Sequence, residues 1–169
     1  MKLNNLNELF EIELRYAYDC EKKLVEKGLP NMIEKASSPE LRSALEQHLN
    51  ETRTHLTRLE SIFPAIGAKT ETKSNDILDK MLNAAKDSAS HIDPSSLRDA
   101  ALVLNGNVVE HYEIATYGSL AAFARSLGRT EVASLLEETL NEEKMADAKL
   151  TQIGEQLLNV RAAGRTATA

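Results

Sequence analysis

The sequence predicts an all-α fold: a bundle of four long helices with a short crossover helix between the second and third. Three observations predict it. Apolar residues recur at three- and four-residue intervals along long stretches of the chain, which is the period of a helix with one buried face. Proline and glycine fall mostly between those stretches. A polar connection with its own amphipathic segment divides the chain into two halves that resemble each other.

The first helix is expected over Leu6–Lys35, with Phe10, Leu14, Ala17, Leu24 and Gly28 as its stripe and a bend at Gly28 and Pro30. Ser38 before Pro39 reads as an N-cap followed by proline at the first helical position. The second helix then runs to about Ile62, with Leu41, Leu45, His48, Thr52, His55, Leu59 and Ile62 on one face. After a polar loop, Asp76–Ser90 is the crossover. Ser95 or Ser96 is the expected cap of the third helix, Leu97–Leu127, and Gly128 its stop. The fourth helix runs from about Glu131 to Leu158, on a stripe of Val132, Leu136, Thr139, Glu143, Ala146, Leu150, Ile153 and Leu157. Residues 1–158 thus form the bundle, and residues 159–169 a flexible C-terminal tail.

The second and fourth helices align at an offset of 91 residues, with Leu45/Leu136, Glu46/Glu137, Leu49/Leu140, Asn50/Asn141, Glu51/Glu142 and Leu59/Leu150 among the identical pairs. The chain therefore looks like a duplicated helix pair. Four long helices with a long central connection describe a ferritin-like bundle, because a simple up-down bundle has no need of a crossover.

Composition narrows the function. A net charge of −6, with no extended basic cluster, argues against nucleic-acid binding. No window approaches the roughly 20 apolar residues of a membrane span. Cys20 is the single cysteine, so no internal disulfide can form. The N-terminus lacks the apolar run of a signal peptide, and the expected location is the cytoplasm.

The chemistry lies in carboxylates that interrupt apolar stripes, where a charge is costly unless it is paired, protonated or bound to metal. Glu21 sits between Ala17 and Leu24. His48 and His55 lie in the second stripe, with Glu51 on the same face. Glu110 and Glu113 share a face with Gly106, Tyr117 and Leu120. Glu143 occupies the fourth stripe, and Asp147 follows one turn later. Each long helix points at least one carboxylate inward, which is how dinuclear bundle sites are built. The expected metal ligands are Glu21, His48, Glu51, Glu110, Glu113, Glu143 and Asp147, holding two ions. Oxygen donors with imidazole favour iron or manganese over calcium. The alternative is a metal-free network of buried carboxylates with Lys, Arg and Tyr.

Glu21 and Glu51 stand 30 residues apart, as do Glu113 and Glu143. That spacing favours Glu143 as the counterpart of Glu51, whereas the 91-residue offset favours Glu142; the conflict stays open at this level. His55 is expected to line the site and His111 to support it from outside the ligand face. Asp147 is either a ligand or a residue that orients one. Tyr18, Tyr112 and Tyr117 read as core residues with polar tips.

The segments Tyr18–Lys22, His48–Thr52, Glu110–Gly118 and Leu136–Lys144, followed by Asp147, resemble the YciE/YciF-like bacterial proteins over roughly Leu6–Gly154. The run Glu110-His111-Tyr112-Glu113-Ile114-Ala115-Thr116-Tyr117-Gly118 is the most specific of them. The resemblance implies a ferritin-like bundle, a homodimer and expression linked to stress, without a defined reaction. The usual di-iron Glu-x-x-His order is absent: His48 precedes Glu51, and Thr54 and Met145 stand three residues after Glu51 and Glu142. Two function classes remain, a metal-dependent oxidoreductase acting on oxygen, peroxide or ferrous iron, and a non-catalytic stress protein that sequesters metal or binds a partner.

Overall fold

The computed structural model describes residues 2–164, and among them every regular element is helical. Helix α1 (Leu6–Lys23) passes through a π turn at Leu24–Gly28 into α2 (Leu29–Lys35), making the first rod. Helix α3 (Pro39–Ala65) is the second rod and α4 (Asp76–Ser90) the crossover. The third rod is α5 (Ser95–Ser126). The fourth is α6 (Thr130–Ile153), which continues through a π turn at Gly154–Leu158 into α7 (Asn159–Ala162). The chain is thus helical to Ala162, and the last part of the expected tail, residues 165–169, lies outside the described residues.

The helix ends follow local chemistry. Asn5 accepts from the Glu8 N–H while Glu8 reaches back to the Asn5 side chain, a reciprocal cap. Ser38 caps α3 as expected, accepting from the Leu41 N–H at 3.4 Å. Gly128, at φ +71°, ends α5 in the left-handed region that suits a residue without a Cβ. Neither Ser95 nor Ser96 caps α5. The helix begins at Ser95, behind an extended Pro94 that has no side-chain acceptor to offer. The second helix also runs past Ile62, through Pro64 to Ala65, because the proline falls in the last turn. There it leaves only the exposed Glu60 carbonyl without its helical donor.

The expected bend near Pro30 takes the form of the π turn just before it. Proline offers no N–H to the carbonyl four residues back and its ring crowds that carbonyl. An inserted residue one turn earlier makes room.

Two apolar clusters fix the direction of each rod. One gathers Phe10, Leu14, Leu59, Ile62, Phe63, Leu120, Ala124, Val132 and Leu136. The other gathers Leu24, Leu29, Leu41, Leu45, Leu78, Leu102, Val103, Leu150 and Leu158. The first cluster takes the start of α1 and α6 but the end of α3 and α5. Rods one and four therefore run in one direction and rods two and three in the other. The crossover has to return the chain along the bundle between α3 and α5, which is the ferritin-like connection.

Asn75 bolts the crossover down. Its N–H donates to Asp19 (2.8 Å), its side-chain amide donates to the Tyr16 carbonyl (3.2 Å) and the Tyr112 hydroxyl (2.8 Å), and its oxygen caps α4. Asp99 of α5 does the same for α3, accepting from the N–H groups of Ser37 and Ser38 at 2.8 Å each.

Candidate metal centre

Between the two apolar clusters lies a layer of buried polar side chains: Glu21 from α1, His48, Thr52 and His55 from α3, Glu110 and Glu113 from α5, and Thr139 and Glu143 from α6. Each comes from a position where helical period dictates an inward side chain, so the backbone delivers them whatever the cost of burial.

Two groups of three converge within the layer. Glu21, His55 and Glu143 offer ligand atoms that all lie within 4.8 Å of one another, and so do His48, Glu110 and Glu143. Glu143 belongs to both. His55 Nδ1 lies 3.0 Å from Glu143 Oε1 and 3.4 Å from Glu21 Oε1. His48 Nε2 lies 3.2 Å from Glu110 Oε1 and 3.8 Å from Glu143 Oε2. Several of these atoms have no hydrogen-bond partner although they are buried: Glu21 Oε2, Glu110 Oε2, Glu113 Oε2, both Glu143 oxygens and His55 Nδ1. Orphaned buried acceptors are rare in folded proteins and ask for a missing partner. Carboxylate oxygens with imidazole nitrogens are a donor set that fits a cation.

The surrounding contacts hold the donors in place. Glu142 accepts from His55 Nε2 at 2.9 Å and is clamped by the Arg58 guanidinium through two hydrogen bonds. Arg58 also donates to Thr139 at 3.1 Å. With Nε2 engaged by Glu142, His55 Nδ1 faces Glu21 and Glu143, the arrangement of a histidine whose outer nitrogen is held by a carboxylate. Tyr117 donates to Glu21, and the Cys20 thiol lies 3.7 Å from Glu113 Oε1.

Electrostatics in the layer are under tension. Burial, then the neighbouring Glu21, Glu143 and Glu110 charges, push Glu113 well above the ordinary carboxylate range. Burial raises Glu21 and Glu143 as well, against the opposing pull of His55. Burial by itself would lower the histidines, but Glu110 outweighs it at His48, and Glu143 and Glu21 carry His55 to about 10. Outside the layer, the nearby His48 imidazole holds Glu51 below its ordinary value, and hydrogen bonds from Arg58 do the same for Glu142.

Of the residues singled out from sequence, Glu21, His48, Glu110 and Glu143 stand in the two groups, and Glu113 is buried beside them. Glu51 does not join them: its carboxylate is 31% exposed, takes a hydrogen bond from Gln47, and lies 3.7 Å from His48 Nδ1. Asp147 stands further out, 3.1 Å from the exposed His111. His55, expected only to line the site, reaches into it. Glu143, not Glu142, turns inward. The 91-residue offset nonetheless pairs like with like: Glu51 and Glu142 each back the outer nitrogen of a histidine, while Glu143 aligns with Thr52.

Fold and site together define a ferritin-like helical bundle with a buried carboxylate–histidine layer. The chain belongs to the family described as "Domain of unknown function (DUF892)", which matches residues 5–163. It is 32% identical to protein YciF of Escherichia coli strain K12 over 163 residues, 96% of this chain and 98% of that protein. The crystal structure of the E. coli stress protein YciF superposes with a TM-score of 0.88 at 32% identity, over 93% of this chain and 99% of that one. YcfI of Rhodopseudomonas palustris, described as a candidate structural protein, gives 0.86 at 37% identity, over 89% and 95%. A protein from Xanthomonas campestris shares the fold, with a TM-score of 0.74 at 24% identity over 95% and 98%.

Proposed function

We propose that the polar layer binds two metal ions, iron or manganese, with Glu143 shared between them. The observation that supports this reading is the pair of carboxylate–histidine groups meeting at one residue whose two oxygens are both buried and without hydrogen bonds. On this reading Glu21 and His55 serve one ion, His48 and Glu110 the other, and Glu113 stands beside both. Glu51 and Asp147 act from the periphery. Glu142 and Arg58 orient His55, Tyr117 holds Glu21, and the apolar clusters above and below keep water out. When bound, such a pair supplies redox chemistry toward oxygen, peroxide or ferrous iron. No helix among the described residues is long and apolar enough to cross a membrane.

Metal analysis of protein purified without chelators tests the reading. Two equivalents of iron or manganese per chain are expected, falling below one in Glu143→Gln, with a thermal midpoint that rises on metal titration. A protein that retains no metal and whose midpoint ignores both ions would sink it and favour the metal-free carboxylate network.

The second reading is a non-catalytic protein that sequesters metal or binds a partner in the cytoplasm under stress. Its support is that the E. coli relative is described as a stress protein. Oxygen or peroxide consumption by the loaded protein separates the two. We also propose a homodimer. Leu97, Leu104 and Val108 form an exposed apolar stripe along α5 at helical spacing, a surface that a second copy would cover. Light scattering should give twice 18.7 kDa; a monomer mass would reject the dimer.

A further inference from the structure

A pocket of about 470 Å³ opens between the first rod, the crossover helix and α5. That volume lies within the range of small-molecule sites. Its inner end is formed by His48 and Glu110, only 5% and 2% exposed, and Glu110 Oε2 there has no hydrogen-bond partner. Its walls are aliphatic, with Leu24, Leu82, Leu102 and Val109 among them. Its mouth is basic. Lys27 and Lys86 are exposed and Lys35 half-buried, and none of the three forms an ion pair among the described residues. Lys23 also borders the pocket but is engaged by Asp19 and Asp79, at 2.7 Å each.

The π turn belongs to this pocket. Leu24, Lys27 and Gly28, three of its residues, line the pocket. A Cβ at Gly28 would meet Leu24 Cδ2 at 2.9 Å and Leu82 Cδ2 at 3.4 Å, so any side chain there would press on two wall residues. π turns are frequent where a helix has been reshaped for a ligand.

We propose that this pocket binds a medium-chain aliphatic carboxylate, its headgroup among Lys27, Lys35 and Lys86 and its alkyl body running inward toward His48 and Glu110. The walls select an apolar body over a bare anion such as phosphate. The lysines select an anionic head over a neutral one. With lysines at the mouth and aliphatic side chains along the walls, the head stays at the mouth and the chain points inward. The proposal deepens the metal reading, because the alkyl end would stop at the His48–Glu110 half of the layer. Occupancy of the pocket, however, depends on residues outside the metal ligands.

Calorimetric titration of the full chain with decanoate, decanol and butyrate tests it, on metal-free and metal-loaded samples whose metal content is measured alongside. Decanoate should bind once per chain, with decanol and butyrate each weaker by about tenfold or more. Lys27→Glu combined with Lys86→Glu should weaken decanoate about tenfold and leave decanol unchanged. Ala85→Trp, in the pocket wall on the crossover helix, should abolish binding of both while circular dichroism shows an intact fold. Absence of decanoate binding, equal binding of decanol, or decanoate affinity unchanged in both variants would overturn the proposal. Each of those results can occur with two metals still bound, so failure of the pocket and failure of the metal reading are told apart in the same samples.

Discussion

His55 shows what a single neighbour can decide. Its Nε2 is occupied by Glu142 and its Nδ1 looks into the layer, so the Glu142–Arg58 clamp sets which nitrogen is free. Glu142→Ala should therefore weaken metal binding by roughly 10- to 100-fold without touching a ligand, the usual cost of losing the partner behind a ligating histidine. A metal-competition titration against a chelating dye reads this, and an affinity equal to that of the parent protein would show the clamp to be structural only. The sequence marked this neighbourhood but not its details. Glu142 and Glu143 differ by one position, about 100° around the helix, and both lie near the stripe. Only the cross-helix contacts of Arg58 and His55 separate them. His55 was visible as a polar residue within an apolar stripe, the same signal that marked His48. The shared 30-residue spacing favoured Glu143, which does turn inward, but it tied that residue to Glu51, which stays at the edge of the layer.

At the scale of elements, the rods and the crossover were readable because helical period and Ser/Pro/Gly punctuation are local. The crossover has the expected bounds, Asp76–Ser90. The π turns were not readable, since nothing in propensity or period distinguishes one inserted residue; Gly28 and Pro30 announced only a bend. Asn75 and Asp99 were invisible for another reason: their partners lie 37 to 62 residues away in sequence. Asp99→Ala should cost about 1.5–3 kcal/mol, because it strips a charged acceptor from two N–H groups at the start of α3. Urea unfolding measures it, and a change below about 0.5 kcal/mol, the range of ordinary surface substitutions, would mean that water replaces the carboxylate freely.

For the whole molecule, the layer couples stability to pH. Glu21, Glu113, Glu143 and both histidines are held above their ordinary values. A group raised in the folded state stabilises below its unfolded pKa and loses that contribution as pH climbs through the folded one. For the carboxylates the loss begins near 4.5, and for His55 it runs from 6.5 to about 10. Glu51 and Glu142 are lowered and act in the opposite sense, losing their contribution as the solution is acidified below 4.5. The metal-free protein should therefore be most stable at mildly acidic pH and weaken steadily toward alkaline pH. Metal needs the deprotonated ligands, so its stabilising increment should grow over the same range. Thermal melts with and without manganese at about pH 5.5 and about pH 8.5 test both trends, and an increment that shrinks with pH would contradict them.

The division of the interior into two apolar clusters also governs how substitutions combine. Phe63 and Leu41 belong to different clusters, with the polar layer between them. Changes at sites that share no neighbours usually contribute additively to stability. Each end of the bundle can thus tolerate its own losses and repairs with little reference to the other. A substitution in the layer, by contrast, is felt by both ends. Where their residues share no neighbours, the two halves of the interior can change in sequence separately, and the residues that cross the middle tie them together.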